Sequence, residues 1–185
     1  MKKVVVILAF GLLALACSKT AEVKEAKYAY IDTAKLMEEY EEAKDIEAKY
    51  KSKSEEAGRK FEVAEQNFKA DAENFERSAR ANGEAWAQQK GAELQRRQQE
   101  LQYSAQAVAQ QLQQQMGTEM DSLVKNVKSF IKDYGKKNGY KYIFGTGETA
   151  TILYGDEKED ITKEIVKLLN EKYKATPAKE TGEKK

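Results

Sequence analysis

The sequence has no histidine and only one cysteine, and these two scarcities limit the chemistry that the chain can perform. Histidine is the commonest general base and the commonest metal ligand, so its absence removes both roles at once. The single cysteine, Cys17, forms no disulfide within the chain and leaves the body of the protein without a thiol for a nucleophile or a zinc site. The sequence also has no glycine-rich phosphate loop. We therefore expect a protein that is not an enzyme and has no cofactor.

Proline and aromatic residues are scarce as well. The only proline is Pro177, so proline interrupts no helix in the middle of the chain. Aromatic residues make up 9% of the sequence and charged residues 34%, which leaves little material for a compact core. Long solvated helices can carry so much charge because each exposes most of its circumference. The composition thus favours an elongated, mostly helical protein.

Residues 1–16 have the pattern of a signal peptide: a basic start followed by an apolar run. The run is shorter than the roughly 20 residues that span a bilayer. It ends in Leu-Ala-Leu-Ala-Cys at 13–17, which resembles the lipobox of bacterial lipoproteins, where the peptide is cut before an acylated cysteine. We expect Cys17 to be lipidated and residues 17–27 to form a tether; an ordinary secretory peptide is the alternative. The residue after the cysteine is Ser18 rather than aspartate. By resemblance to lipoprotein sorting in enteric bacteria, this favours the outer membrane over the inner membrane.

After the tether, a short β-prone segment leads directly into a helical pattern. Residues 28–31 are β-prone, Asp32 and Thr33 are good helix caps, and one helix is predicted over 34–81. Phenylalanines recur in this helix every seven residues, at the positions Phe61, Phe68 and Phe75. Such a repeat is typical of a coiled-coil seam, which is one interpretation. The other is that some of these rings contact an unfolded protein held beside them.

The strongest turn signal within the helical region is Asn82-Gly83, and a second helix is predicted over 84–137. The two helices would form an antiparallel helical hairpin. Residues 38–76 are mainly acidic and residues 120–137 mainly basic, which favours that pairing near the base of the hairpin. The seam is thin and rich in alanine, so we expect flexible arms.

The periodicity changes after Gly139. The predicted elements are strands at 140–144 and 151–154 joined by a hairpin loop at 145–148, a helix at 161–173 capped by Asp160, and a disordered tail at 174–185. Three short strands and one small helix bury little surface and leave open strand edges. We therefore expect oligomerisation through a shared β body that includes Ile31, Ile143 and Ile152. The predicted fold class is α+β, mostly α: a small three-stranded body, forming an oligomeric barrel, with a long antiparallel helical-hairpin tentacle.

Residues at both ends of the mature chain resemble the Skp/OmpH-like periplasmic chaperone family. The matching residues are Tyr30-Ile31-Asp32 with Leu36, Gly139-Tyr140, Ile152-Leu153-Tyr154, and Asp160-Ile161-Thr162 with Ile165 and Leu169. The resemblance covers residues 28–173, with the body at 28–36 and 139–173 and the tentacle at 37–138. It implies a homotrimer whose tentacles enclose a cavity for unfolded outer-membrane proteins, without nucleotide. It also implies that Asp160 and Thr162 are structural.

Two features depart from the familiar members of that family. The chain without residues 1–16 is close to neutral, whereas those members are strongly basic, and the lipobox indicates a tethered rather than a soluble protein. The family resemblance and the lipobox together imply an ATP-independent holdase of the periplasm, anchored by lipid to the outer membrane, that binds unfolded envelope proteins and no nucleic acid. The alternative is a lipid-anchored coiled-coil spacer or adaptor, which should have well-filled heptads rather than thin seams.

Overall fold

The computed structural model describes residues 26–147 and 152–176. The predictions for the signal peptide, for Cys17 and for most of the tether and tail lie outside these residues. In chain order the elements are strand β1 (Lys27–Asp32), helix α1 (Thr33–Glu39), helix α2 (Glu41–Asn82), helix α3 (Glu84–Lys137), strand β2 (Tyr140–Thr146), a single 3-10 turn (Glu157–Glu159) and helix α4 (Thr162–Ala175).

Strands β1 and β2 form a parallel pair in which Tyr28 lies opposite Tyr142 and Ile31 opposite Gly145. Parallel strands need a long crossover connection, and here the helices α1 to α3 supply it. The two β-prone segments that bracket the helical region are therefore neighbours. The sheet brings the two ends of the chain together at the root of the long helices.

The prediction of a three-stranded body with a β-hairpin is wrong for the described residues. Gly145 and Thr146, predicted in the hairpin loop, extend β2, and residues 152–156 form no strand. Leu153 and Tyr154 are instead almost fully exposed, at 97% and 85% of their surfaces. The body sheet therefore has two strands in the described part of the chain.

The position beside β1 is partly filled by the segment that leads into α4. The backbone N–H of Ile161 donates to the carbonyl of Tyr30 at 3.1 Å, and Asp160 forms an isolated parallel bridge with Tyr30. Gly155 lies so close to the Tyr30 ring that a Cβ there would come within 2.5 Å of it. The segment predicted as the third strand therefore packs against the Tyr30 ring at Gly155 and forms no strand ladder over residues 152–156.

The long helix predicted from residue 34 is broken at Tyr40, whose backbone is extended (φ −75°, ψ 119°). Asn170 of α4 bonds both sides of the break: its Oδ1 accepts from the N–H of Glu41 at 2.9 Å, and its Nδ2 donates to the carbonyl of Glu39 at 3.3 Å. Without such partners, the groups at the ends of two helices would lack hydrogen bonds. The break is thus a tertiary feature, because its partner lies near the other end of the chain.

Helices α2 and α3 form the tentacle and meet at Gly83, whose positive φ of 84° most other residues adopt only at a cost. Ion pairs between the helices join Arg97 to Asp71 and Lys49 to Glu119, so the two helices run in opposite directions. With 42 and 54 residues, the helices are about 63 and 81 Å long at 1.5 Å per residue.

The apolar core sits at the base of the tentacle, where the sheet, α1 and α4 meet the two long helices. Its most buried side chains are Ile31, Leu36, Leu123 and Ile165. Farther out, most seam positions are only half-buried; Leu94 is a buried exception near the tip. Packing thus holds the base firmly and the rest of the tentacle loosely.

Candidate functional site

The body sheet has one face toward the core and one face toward solvent. Strand alternation places Ala29 and Ile31 against the core and leaves Tyr28, Tyr142 and Phe144 on the outer face. These three rings, the aromatic face, stack with centroids 5.8–6.5 Å apart. Tyr142 keeps 56% of its surface exposed. Because the three exposed rings are contiguous, this face is a candidate interaction surface.

The residues predicted for the oligomer body lie elsewhere. Ile31 is buried within its own chain, and Ile143 packs against the core, with its Cδ1 3.1 Å from where a Cβ on Gly135 would be. Ile152 is half-buried outside any strand. The aromatic face was missed, although strand alternation about the apolar Ala29 and Ile31 was the signal that could have found it.

The predicted client-contact residues Phe61, Phe68 and Phe75 are all half-buried along the tentacle. The ring of Phe75 stacks on Trp86 with centroids 5.9 Å apart, and it lies 3.7 Å from where a Cβ on Gly91 would be. At least this ring is therefore used to hold the two helices together near the tip. Contact of the three rings with an unfolded protein stays a prediction.

An open cleft of about 760 Å³ lies between α2, α3 and α4 at the base of the tentacle. The Tyr173 hydroxyl donates to Asp45 at 2.8 Å, and this bond, with burial, raises the pKa of Tyr173 to about 12. Burial, together with a hydrogen bond to Glu42, raises the pKa of Tyr40 above its ordinary value. Both phenols stay protonated at neutral pH; the Tyr173 hydroxyl joins α4 to α2, whereas the Tyr40 hydroxyl bonds locally at the start of α2.

The Asp-Ile-Thr segment ties α4 to the sheet. Asp160 Oδ1 accepts from the backbone N–H of Thr162 at 2.8 Å, although the N-cap position itself belongs to Ile161. The Thr162 hydroxyl is fully buried and accepts from the backbone N–H of Asp32 at 2.9 Å. Asp160, predicted as the N-cap, thus lies one residue before the N-cap position but still accepts from the first turn, and Thr162 joins α4 to the end of β1.

Two properties of the described residues bear on the kind of site that is present. Within residues 26–147 and 152–176, no helix combines the length and apolarity that crossing a membrane requires. In the same part of the chain, His, Cys, Asp and Glu side chains form no group of three or more that could hold a metal ion.

The architecture is that of a small sheet-and-helix body from which a long two-helix tentacle extends. The family model described as "Outer membrane protein (OmpH-like)" matches residues 27–169, so the chain belongs to the OmpH-like family. A similar solved structure is that of a candidate OmpH-like outer membrane chaperone from Caulobacter crescentus CB15. It has a TM-score of 0.73 and 11% identity, and the match covers 80% of this chain and 85% of that one. No curated protein matches the chain.

Proposed function

We propose that the protein is an ATP-independent holdase chaperone of the periplasm, which binds unfolded outer-membrane proteins between its tentacles and prevents their aggregation. Membership of the OmpH-like family, together with the tentacle, carries the proposal. A holdase must offer many weak contacts to chains without a fixed shape. The half-buried seam between α2 and α3 supports this role, because helices that pack loosely can adjust their separation.

The test is the aggregation of a urea-unfolded outer-membrane β-barrel protein on dilution, with and without residues 18–185 of this chain. We expect aggregation to be suppressed without nucleotide. A lysozyme-type soluble protein at equal concentration controls for non-specific crowding. Failure to suppress aggregation at any ratio would favour the spacer alternative.

The cavity in this proposal needs several copies of the chain, and we propose a homotrimer assembled through the body. The aromatic face supports assembly, since Tyr142 and its neighbours lie exposed beside the open edge of β2. Tyr142→Glu should place a charge in that interface and dissociate the oligomer. Tyr103→Glu makes the same change at an exposed tyrosine of α3 and should leave assembly intact. Light scattering distinguishes the outcomes, and a monomeric wild type would rule out the trimer.

We further propose that Cys17 carries the lipid that attaches the protein to the outer membrane. The support is the lipobox at 13–17 and the serine that follows it. Each buried methylene of an acyl chain contributes about 0.8 kcal/mol, so several chains give stable attachment. In the native host, Cys17→Ser should abolish labelling by a radioactive fatty acid. Normal labelling of that variant would refute the assignment.

A further inference from the structure

One stretch of the tentacle differs in charge from everything around it. Between Leu101 and Thr118, helix α3 contains no charged residue, although charged residues make up 34% of the chain. The ion pairs Arg97–Asp71 and Lys49–Glu119 bracket this stretch. They show that it packs beside the part of α2 between residues 49 and 71, which is dense in lysine and glutamate. The two sides of the tentacle therefore present different chemistry.

The uncharged stretch has two faces. Leu101, Val108 and Leu112 are half-buried along the seam with α2. The opposite side of the helix carries the glutamine face, consisting of Tyr103, Gln106, Gln110 and Gln114, which follow one another at three- and four-residue steps. All four are exposed, and Tyr103 keeps 76% of its surface open to solvent. Most of the glutamine face thus lies away from the partner helix, and at its end Gln114 borders an open cleft shared with Lys49 and Tyr50 of α2.

Glutamine amides suit an unfolded polypeptide for a chemical reason. Each amide has two N–H donors and a carbonyl acceptor, which match the N–H and C=O groups that an extended chain leaves unpaired. Because the face is neutral, it does not select segments by their charge. From Tyr103 to Gln114 the face extends about 16 Å, the length of about five extended residues.

Two other candidate contacts near the tip are already used within the chain. The ring of Phe75 stacks on Trp86 across the two helices. Of the basic residues near the tip, Lys90 and Arg97 form ion pairs with acidic neighbours. The glutamine face, by contrast, is uncharged and exposed.

We propose that the glutamine face is the surface on which the tentacle holds extended, uncharged segments of unfolded outer-membrane proteins, through amide hydrogen bonds and contact with the Tyr103 ring. This inference rests on the proposed holdase function and names the site of that activity. It places contact on α3 rather than on the phenylalanines of α2.

The test measures binding of a fluorescently labelled, urea-diluted β-barrel protein by anisotropy. The variant is Gln106→Ala/Gln110→Ala/Gln114→Ala, in which alanine preserves helix propensity. Loss of three amide hydrogen bonds should weaken binding about tenfold. The matched control changes exposed polar residues of α2, in the variant Ser54→Ala/Gln66→Ala/Asn67→Ala, and should bind like the wild type. Wild-type affinity should also change little between low and high salt.

The outcomes separate the inference from the function on which it rests. If the wild type fails to bind the unfolded protein, the holdase proposal fails. If the wild type binds and the α3 variant binds equally well, the holdase stands and the glutamine face is not its contact surface. Strong loss of wild-type binding at high salt would also overturn the inference, because it would show electrostatic capture. Light scattering and melting curves check that each variant is folded and assembled.

Discussion

Replacing Asn170 tests most directly how the tentacle is fixed to the body. Its side-chain amide accepts from the N–H of Glu41, at the start of α2, and donates to the carbonyl of Glu39, at the end of α1. Two further contacts from α4 reach the same region: Lys174 pairs with Glu41 at 2.9 Å, and the Tyr173 hydroxyl bonds a carboxylate of α2. Helix α4 thus holds the joint between the body and the tentacle.

The expected magnitude follows from the two hydrogen bonds that Asn170→Ala removes. At about 0.5–1.5 kcal/mol each, they contribute about 1–3 kcal/mol together. Both are only partly buried. In the variant, water can therefore form part of the missing hydrogen bonds. We expect a decrease of about 1–2 kcal/mol in the free energy of unfolding. In a chain of this size that lowers Tm by about 2–8 °C.

The assay is thermal unfolding followed by circular dichroism, at one protein concentration because Tm depends on concentration in an oligomer. A second measurement uses residues 18–185, which lack Cys17, with spin labels at the exposed positions 89 near the tip and 163 on α4. The distance distribution between the labels should broaden in Asn170→Ala because the joint is freer. Asn138→Ala is the control: it removes one exposed hydrogen bond to the carbonyl of Tyr134 at the end of α3 and should change stability by less than about 0.5 kcal/mol.

An unchanged Tm and an unchanged distance distribution in Asn170→Ala would refute this reasoning. The break at Tyr40 would then be fixed by the packing of Leu36 and Ala43 in the core, not by the amide.

Three further predictions concern single side chains. Gly117→Ala should raise Tm by about 2–4 °C, because it strengthens an exposed helix by about 1 kcal/mol and a Cβ there meets nothing within 4 Å. Gly135→Ala should raise Tm by less than Gly117→Ala does, because its Cβ would meet Ile143 at 3.1 Å and that side chain must shift; equal effects of the two changes would contradict the packing described. The Tyr173 phenol has a pKa of about 12 in the folded protein and about 10 when unfolded. The bond from this phenol to Asp45 therefore stabilises the fold below about pH 10, and that stabilisation is lost between about pH 10 and 12. Over this window the urea midpoint of Tyr173→Phe should fall less than that of the wild type. Equal falls would show that the bond does not stabilise the fold.

The long helices and the turn between them could be predicted from the sequence alone. These features are local: an unbroken run without proline favours helix, and Asn82-Gly83 marks the turn at which the structure reverses the chain. The apolar spacing after Ile161 likewise predicts α4, because residues three and four apart share one face of a helix. The ends of the chain also carried the family resemblance, which the family match confirms.

The candidate site could be predicted only in part. The phenylalanine repeat lies along the tentacle, but spacing does not tell whether a ring faces a neighbouring helix or solvent. In the structure Phe75 stacks on Trp86. The exposed aromatic face required knowing which side of β1 meets the core. Alternation about Ala29 and Ile31 indicates that side, but the position of Tyr142 beside Tyr28 depends on the parallel register of the two strands, which only the structure shows.

Tertiary structure alone decided the features that join distant parts of the chain. The parallel pairing of β1 and β2 places Tyr28 beside Tyr142, and the local patterns of the two segments do not specify strand direction. The segment before α4 lies along the edge of β1 because the N–H of Ile161 donates a hydrogen bond to the carbonyl of Tyr30. The break at Tyr40 likewise exists where Asn170 supplies hydrogen bonds to two helix ends. Helices form from local periodicity, whereas these pairings depend on groups that only the folded chain brings within reach of one another.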